Sequence, residues 1–146
     1  RITAREFFVT ESYDLPSLRK NNKPTAVFFE QGNCHACDLL HSGPLSVDMS
    51  IEEIEKMNVI QLNMWADTPL ITPKGEKTTA REWARSLDVF YAPSIIFFDS
   101  EGTEIIRLDS VTYFYRLWGV LDYVNQQAYK HTDYQKWRLQ QRKISQ

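Results

Sequence analysis

The chain has 146 residues, 42% of them hydrophobic and 13% aromatic, with a formal net charge of −2, which is the size and composition of one packed domain over residues 1–146. So small a net charge excludes a general electrostatic pull towards nucleic acid or anionic membrane, and no apolar run approaches the ~20 residues needed to span a bilayer. Two cysteines are too few for a structural disulfide framework, and since the chain opens on Arg1 rather than Met, the lack of a signal peptide in it says little about export.

In chain order, Asp14-Leu15-Pro16-Ser17-Leu18-Arg19-Lys20 predicts a short helix with Asp14 as N-cap and Pro16 in the first turn, ended by Asn21-Asn22-Lys23-Pro24. The apolar run Thr25 to Glu30 predicts a buried strand. Asp38-Leu39-Leu40-His41 then predicts a helix, broken by Gly43-Pro44. Ser50 and Glu53 form a capping-box pattern for a second short helix through Met57, and Asn58 to Met64 alternates like a strand. Between Ala66 and Thr78, Pro69, Pro73 and Gly75 mark a long loop or a small excursion hairpin. Thr79 and Glu82 cap a helix carrying Ala80, Trp83, Ala84 and Leu87 on one face. Two strands, Ser94 to Phe98 and Thr103 to Leu108, flank a turn and form a hairpin. The last long helix carries Phe114, Leu117, Trp118, Leu121 and Val124, and Trp83, Trp118 and Phe114 are expected in the core. Thr132 and Gln135 cap a polar helical tail over residues 131–146, in which Arg138, Arg142 and Lys143 read as a solvated face.

Both cysteines lie in Cys34-His35-Ala36-Cys37, on the predicted strand-to-helix turn. Two cysteines at this spacing on a first helical turn can close a small disulfide loop, and unpaired N–H groups with the helix dipole favour a thiolate on the N-terminal sulfur. Cys34 is therefore the candidate nucleophile and Cys37 the resolving thiol. His35, when protonated, would stabilise that thiolate; the alternative is an exposed filler in a variable dipeptide. A metal reading assembles Cys34, Cys37 and His41 with His35 nearby, but a structural zinc site needs four protein ligands and the fourth is missing, so no metal and no bound cofactor is expected. Trp65, at a strand end, is a candidate border of the site.

A strand ending in C-x-x-C, alternating helix and strand after it, and Tyr91-Ala92-Pro93-Ser94 opening a terminal hairpin together resemble the thioredoxin superfamily over nearly the whole chain. The resemblance implies an α/β thioredoxin-like fold: a central mixed sheet flanked by helices, with an elaborated connection before the helix that leads to the cis-proline. It also implies that Ala92 and Pro93 sit beside the dithiol and turn backbone polar groups towards an incoming peptide. A narrower likeness, carried by Phe28-Phe29-Glu30-Gln31-Gly32-Asn33-Cys34, the long excursion, and Leu121-Asp122-Tyr123-Val124 leading into Ala128-Tyr129, is to SoxW-like periplasmic thioredoxin-related proteins. That likeness implies export to the periplasm and reduction by a membrane thiol-electron transporter. Three departures stand out: Asn33 replaces the family's Trp, His35-Ala36 replaces Gly-Pro, and Phe28 replaces a buried Asp. The usual proton-relay carboxylate is thus absent; Glu30 is its candidate substitute, against the reading of Glu30 as a solvated strand-end carboxylate.

The resulting expectation is a monomeric thiol:disulfide oxidoreductase acting on protein disulfides, as a reductase by the narrower resemblance, without nucleic-acid binding or membrane insertion. The alternative from another class is a non-catalytic module that holds a peptide in the Pro93 groove with its cysteines kept for packing.

Overall fold

The computed structural model describes residues 2–9, 13–109 and 113–145. Strand β1 (Thr25–Glu30) is buried along its whole length because it is a central strand with both faces covered, so its apolar residues run on without alternation. It pairs in parallel with β2 (Asn58–Asn63), Thr25 opposite Asn58 and Glu30 opposite Asn63. On its other edge it pairs antiparallel with β5 (Ser94–Phe98), which in turn pairs with β6 (Glu104–Asp109) across a bulge at Phe97/Phe98. The sheet order is β2-β1-β5-β6. This is the mixed α/β sheet that the resemblance implies.

Side chains alternate along a strand, and β1 divides the core accordingly. Ala26 and Phe28 join Leu40, Leu45, Leu117, Val120, Leu121 and Val124 on one face; Val27 and Phe29 join Trp83, Ala84, Val89 and Leu62 on the other. The first face is covered by α1 (His35–Ser42), α2 (Asp48–Ile54) and α4 (Phe114–Asn125), the second by α3 (Ala80–Ser86). The excursion is a hairpin, β3 (Pro69–Ile71) with β4 (Lys77–Thr79), turned at Gly75, whose φ of 92° lies where side chains are disfavoured. The N-terminal helix is a 3₁₀ helix, Leu15–Asn21, and the backbone before it anchors the excursion: Ile71 N–H donates to the Tyr13 carbonyl at 2.9 Å.

Several local expectations are corrected. α2 starts at Asp48 with Val47 as N-cap, so the Ser50/Glu53 box does not open it. The chain leaves α1 through a 3₁₀ turn, Pro44–Ser46, that feeds α2 three residues early; Ser50 is buried with an unpartnered hydroxyl, and Glu53 instead accepts from Asn125 of α4 and Lys56. Trp118 and Phe114 are only half-buried. The inward stripe of α4 is Leu117, Val120, Leu121 and Val124, which leaves Trp118 at its edge and Phe114 at the first turn against Tyr115. The final helix, α5 (Tyr134–Ser145), is capped by Asp133, whose carboxylate accepts from Lys136 N–H at 2.8 Å, not by Thr132. Nor is it polar all round: Trp137 is buried against Tyr123, and Tyr123 Oη donates to the Thr132 carbonyl at 2.6 Å. Gly119 permits this docking, since a Cβ there would collide with Tyr134 Oη. No helix among the described residues is long and apolar enough to cross a membrane.

Candidate active site

The end of β1 delivers the chain to α1 through Gln31-Gly32-Asn33, with Asn33 at φ 51°, a left-handed conformation that Asn tolerates better than most residues. Cys34 is the N-cap of α1: its Sγ accepts from the Cys37 N–H at 3.0 Å, and it forms a disulfide with Cys37. Asp38 N–H closes the first helical hydrogen bond on the Cys34 carbonyl. Cys34 Sγ therefore sits at the positive end of the helix, where an anion is stabilised once the bond is reduced. Cys34 is 7% exposed and Cys37 3%, so Cys34 is the more accessible sulfur-bearing residue. His35, the first helical residue, is exposed.

Fifty-eight residues after Cys34, the turn before β5 returns to the dithiol: the Ala92 carbonyl oxygen lies 3.8 Å from Cys34 Sγ. The Ala92-Pro93 bond is cis, Pro93 is buried, Ala92 is half-buried, and Ser94 Oγ pins the turn by donating to the Tyr91 carbonyl at 2.6 Å. The structure thus brings Cys34, Cys37, Ala92 and Pro93 together.

Glu30 is not solvated. It is fully buried, with His41 Nε2 2.9 Å from each of its carboxylate oxygens and Gln61 Nε2 donating to Oε2 at 3.3 Å. Two periodicities produce the pairing. Ala26, Phe28 and Glu30 share the face of β1 that α1 covers, and His41 lies one helical turn beyond Cys37 on the buried side of α1. On its other side, His41 Nδ1 is 3.2 Å from Arg5 Nη1, and Arg5 also donates to the carbonyls of His41, near the end of α1, and of Leu45 in the 3₁₀ turn that follows. A guanidinium has no acceptor, so Nδ1 must accept and Nε2 carries the hydrogen: the imidazole is neutral and donates to the carboxylate. The countercharge to Glu30 is Arg5, whose pKa burial pulls below its ordinary value while the Glu30 charge opposes that fall. Phe8 and Phe28 enclose the imidazole, with ring centroids 5.9 and 6.4 Å away.

His41 is therefore committed to Glu30 and Arg5 rather than to the cysteines, and the two-thiolate, one-imidazole grouping does not assemble; among the described residues no three His, Cys, Asp or Glu side chains cluster as metal ligands. Trp65 is exposed just after β2 and donates from Nε1 to Gln31 Oε1 at 2.6 Å, three residues before Cys34. Arg5 was invisible to motif reading because it acts from an N-terminal segment tied by Val9 N–H to the Val59 carbonyl at 2.8 Å.

The model of the thioredoxin-like domain family matches residues 12–125. A search of curated proteins found no match. Among solved structures, a thioredoxin-fold protein from Helicobacter pylori superposes with a TM-score of 0.76 at 19% identity, covering 90% of this chain and 87% of that one. A thioredoxin from Thermus thermophilus gives 0.62 at 17% identity, covering 78% of this chain and 85% of that chain. Fasciola hepatica thioredoxin gives 0.54 at 18%, covering 75% and 90%.

Proposed function

This chain belongs to the family of thioredoxin-like domains, and from that premise we propose that it is a thiol:disulfide reductase of protein substrates. One observation carries the reading: a Cys34–Cys37 disulfide closed on the first turn of α1, with the Ala92 carbonyl 3.8 Å from the N-terminal sulfur. In the reduced protein, the Cys34 thiolate attacks one sulfur of a substrate disulfide, forming a mixed disulfide and expelling the other substrate sulfur as a thiolate. Cys37 then loses its proton to solvent, attacks Cys34 Sγ and releases the second substrate thiolate. The substrate gains two electrons, and the protein is left with the Cys34–Cys37 bond.

The Ala92-Pro93 turn is the proposed seat for the substrate strand, and exposed His35 the proposed modulator of the thiolate. Buried in its pair with His41, Glu30 positions α1 beneath the dithiol. A dithiol reductant must restore the cycle; the SoxW-like motif Phe28-Phe29-Glu30-Gln31-Gly32-Asn33-Cys34 supports a membrane thiol-electron transporter in that role and a periplasmic setting. The test is reduction of insulin by the protein charged with dithiothreitol. Turnover well above the free dithiol is expected. Turnover equal to it would overturn the reading and leave a binding module.

A further inference from the structure

An open cavity of about 190 Å³ is walled by Trp65, Ala84, Val89 and Phe90 and rimmed by Arg81 and Arg85. About 150 Å³ of apolar space holds a benzene ring, so one aromatic side chain fits. The cavity is tied to the site on both sides: Trp65 is hydrogen-bonded to Gln31, three residues before Cys34, and Phe90 precedes Ala92 by two. Trp65, Phe90 and the neighbouring Tyr91 are 57%, 63% and 68% exposed, whereas Trp83, Trp137, Phe28, Phe29 and Phe97 are buried in the core. Arg81 is neutralised by Asp67, whereas Arg85 is exposed and its guanidinium makes no ion pair or hydrogen bond among the described residues.

We propose that this cavity is a specificity pocket of the reductase, selecting extended substrate segments that carry an aromatic side chain two to four residues from the reactive cysteine and a carboxylate next to it for Arg85. The inference rests on the proposed reductase reading and names its substrate class. The occupant is a protein segment because an extended chain rises about 3.3 Å per residue, so a strand seated at Ala92 passes the Phe90 wall within a few residues. The uncompensated cation at the rim complements an acidic neighbour and disfavours a basic one. Burial of one aromatic ring is worth tenfold or more in affinity, and the rim charge several-fold.

The test uses short peptides whose single cysteine is a mixed disulfide with thionitrobenzoate, with the reduced protein as attacking dithiol and release of the coloured thiolate as readout. One peptide carries Phe then Glu after the cysteine; the others replace Phe with Ala or Glu with Lys. Expected are an about tenfold lower kcat/KM without the Phe and a three- to tenfold lower value with Lys. Arg85→Glu should invert the Glu-over-Lys preference, and Trp65→Ala should erase the Phe preference. Rates within twofold across the peptides overturn the pocket and leave the reductase standing. If Cys34→Ser protein releases thionitrobenzoate as fast as wild type, the reductase reading fails, and fluorescence anisotropy of labelled peptides with Ser for Cys, bound to the oxidised protein, decides the pocket: the same Phe and Glu preference supports it, and flat binding overturns it.

Discussion

His41→Leu is the sharpest perturbation the structure offers. The leucine keeps the apolar contacts with Phe8 and Phe28 but removes the Nε2–H donor, whose nitrogen lies 2.9 Å from both oxygens of a fully buried carboxylate. Glu30 is left with Gln61 at 3.3 Å. Leaving a buried carboxylate short of a hydrogen-bond donor costs about 1–3 kcal/mol, and more when the group is charged, a large share of the roughly 5–15 kcal/mol that holds a domain of this kind folded. Glu30→Leu alone strands the imidazole N–H, at about 1–3 kcal/mol. The double variant removes both hydrogen-bonding groups together, and replacing both partners of a hydrogen bond by apolar groups can be nearly neutral. Its cost should therefore fall short of the sum of the singles by at least ~2 kcal/mol. Urea unfolding of the four proteins, all in the disulfide form so that the reference chain is equally constrained, measures the cycle. A His41→Leu cost under ~1 kcal/mol, or singles that simply add, would refute the buried carboxylate–imidazole pair.

Cys37→Ser should accumulate mixed disulfides with substrate proteins while Cys34→Ser should not, and iodoacetamide at mildly acidic pH should label Cys34 before Cys37; equal trapping would exchange or dissolve the roles. Trp137→Ala should cost about 3–5 kcal/mol and fray α5, seen as lost helical signal in far-ultraviolet circular dichroism, because the indole is the buried anchor of that helix. Alkaline pH should loosen the same region. Burial raises the phenol pKa values of Tyr123, Tyr129 and Tyr134, with Arg138 and Arg116 partly opposing the rise at Tyr134. Above about pH 10 the unfolded chain has released protons that the folded one still holds, so stability falls with rising pH; below that value the contribution is intact. Unfolding midpoints should drop more steeply in wild type than in Tyr134→Phe, and identical slopes would reject the assignment.

Much of the fold was legible because its signals are local. Apolar runs bounded by Pro, Gly and Asn mark β1 and β5, and Thr79 caps α3 by accepting from Glu82 N–H as the spacing requires. The dithiol was legible by its spacing, whereas Ala92 and Pro93 entered only through family likeness. What escaped depends on contacts distant in sequence. Ser50 looks like a cap until the turn at Pro44–Ser46 is seen to start the helix earlier. Trp137 sits in an otherwise charged helix, where one buried indole barely alters the pattern. Glu30 and His41 each look bland; parity along β1 and the turn spacing from Cys37 contained their meeting, but Arg5, 36 residues before His41, gave no local sign.

The division of the core by β1 also bears on how such a protein can change. Leu40, Phe28 and the Glu30 environment support the dithiol helix from one face of the strand, while Met64, Ala84 and Val89, which back the aromatic cavity, belong to the cluster on the other. Substitutions on opposite faces share few neighbours, so their effects on folding should combine nearly additively. Packing changes behind α1 and packing changes behind the cavity are therefore separable, because a single strand stands between the two clusters.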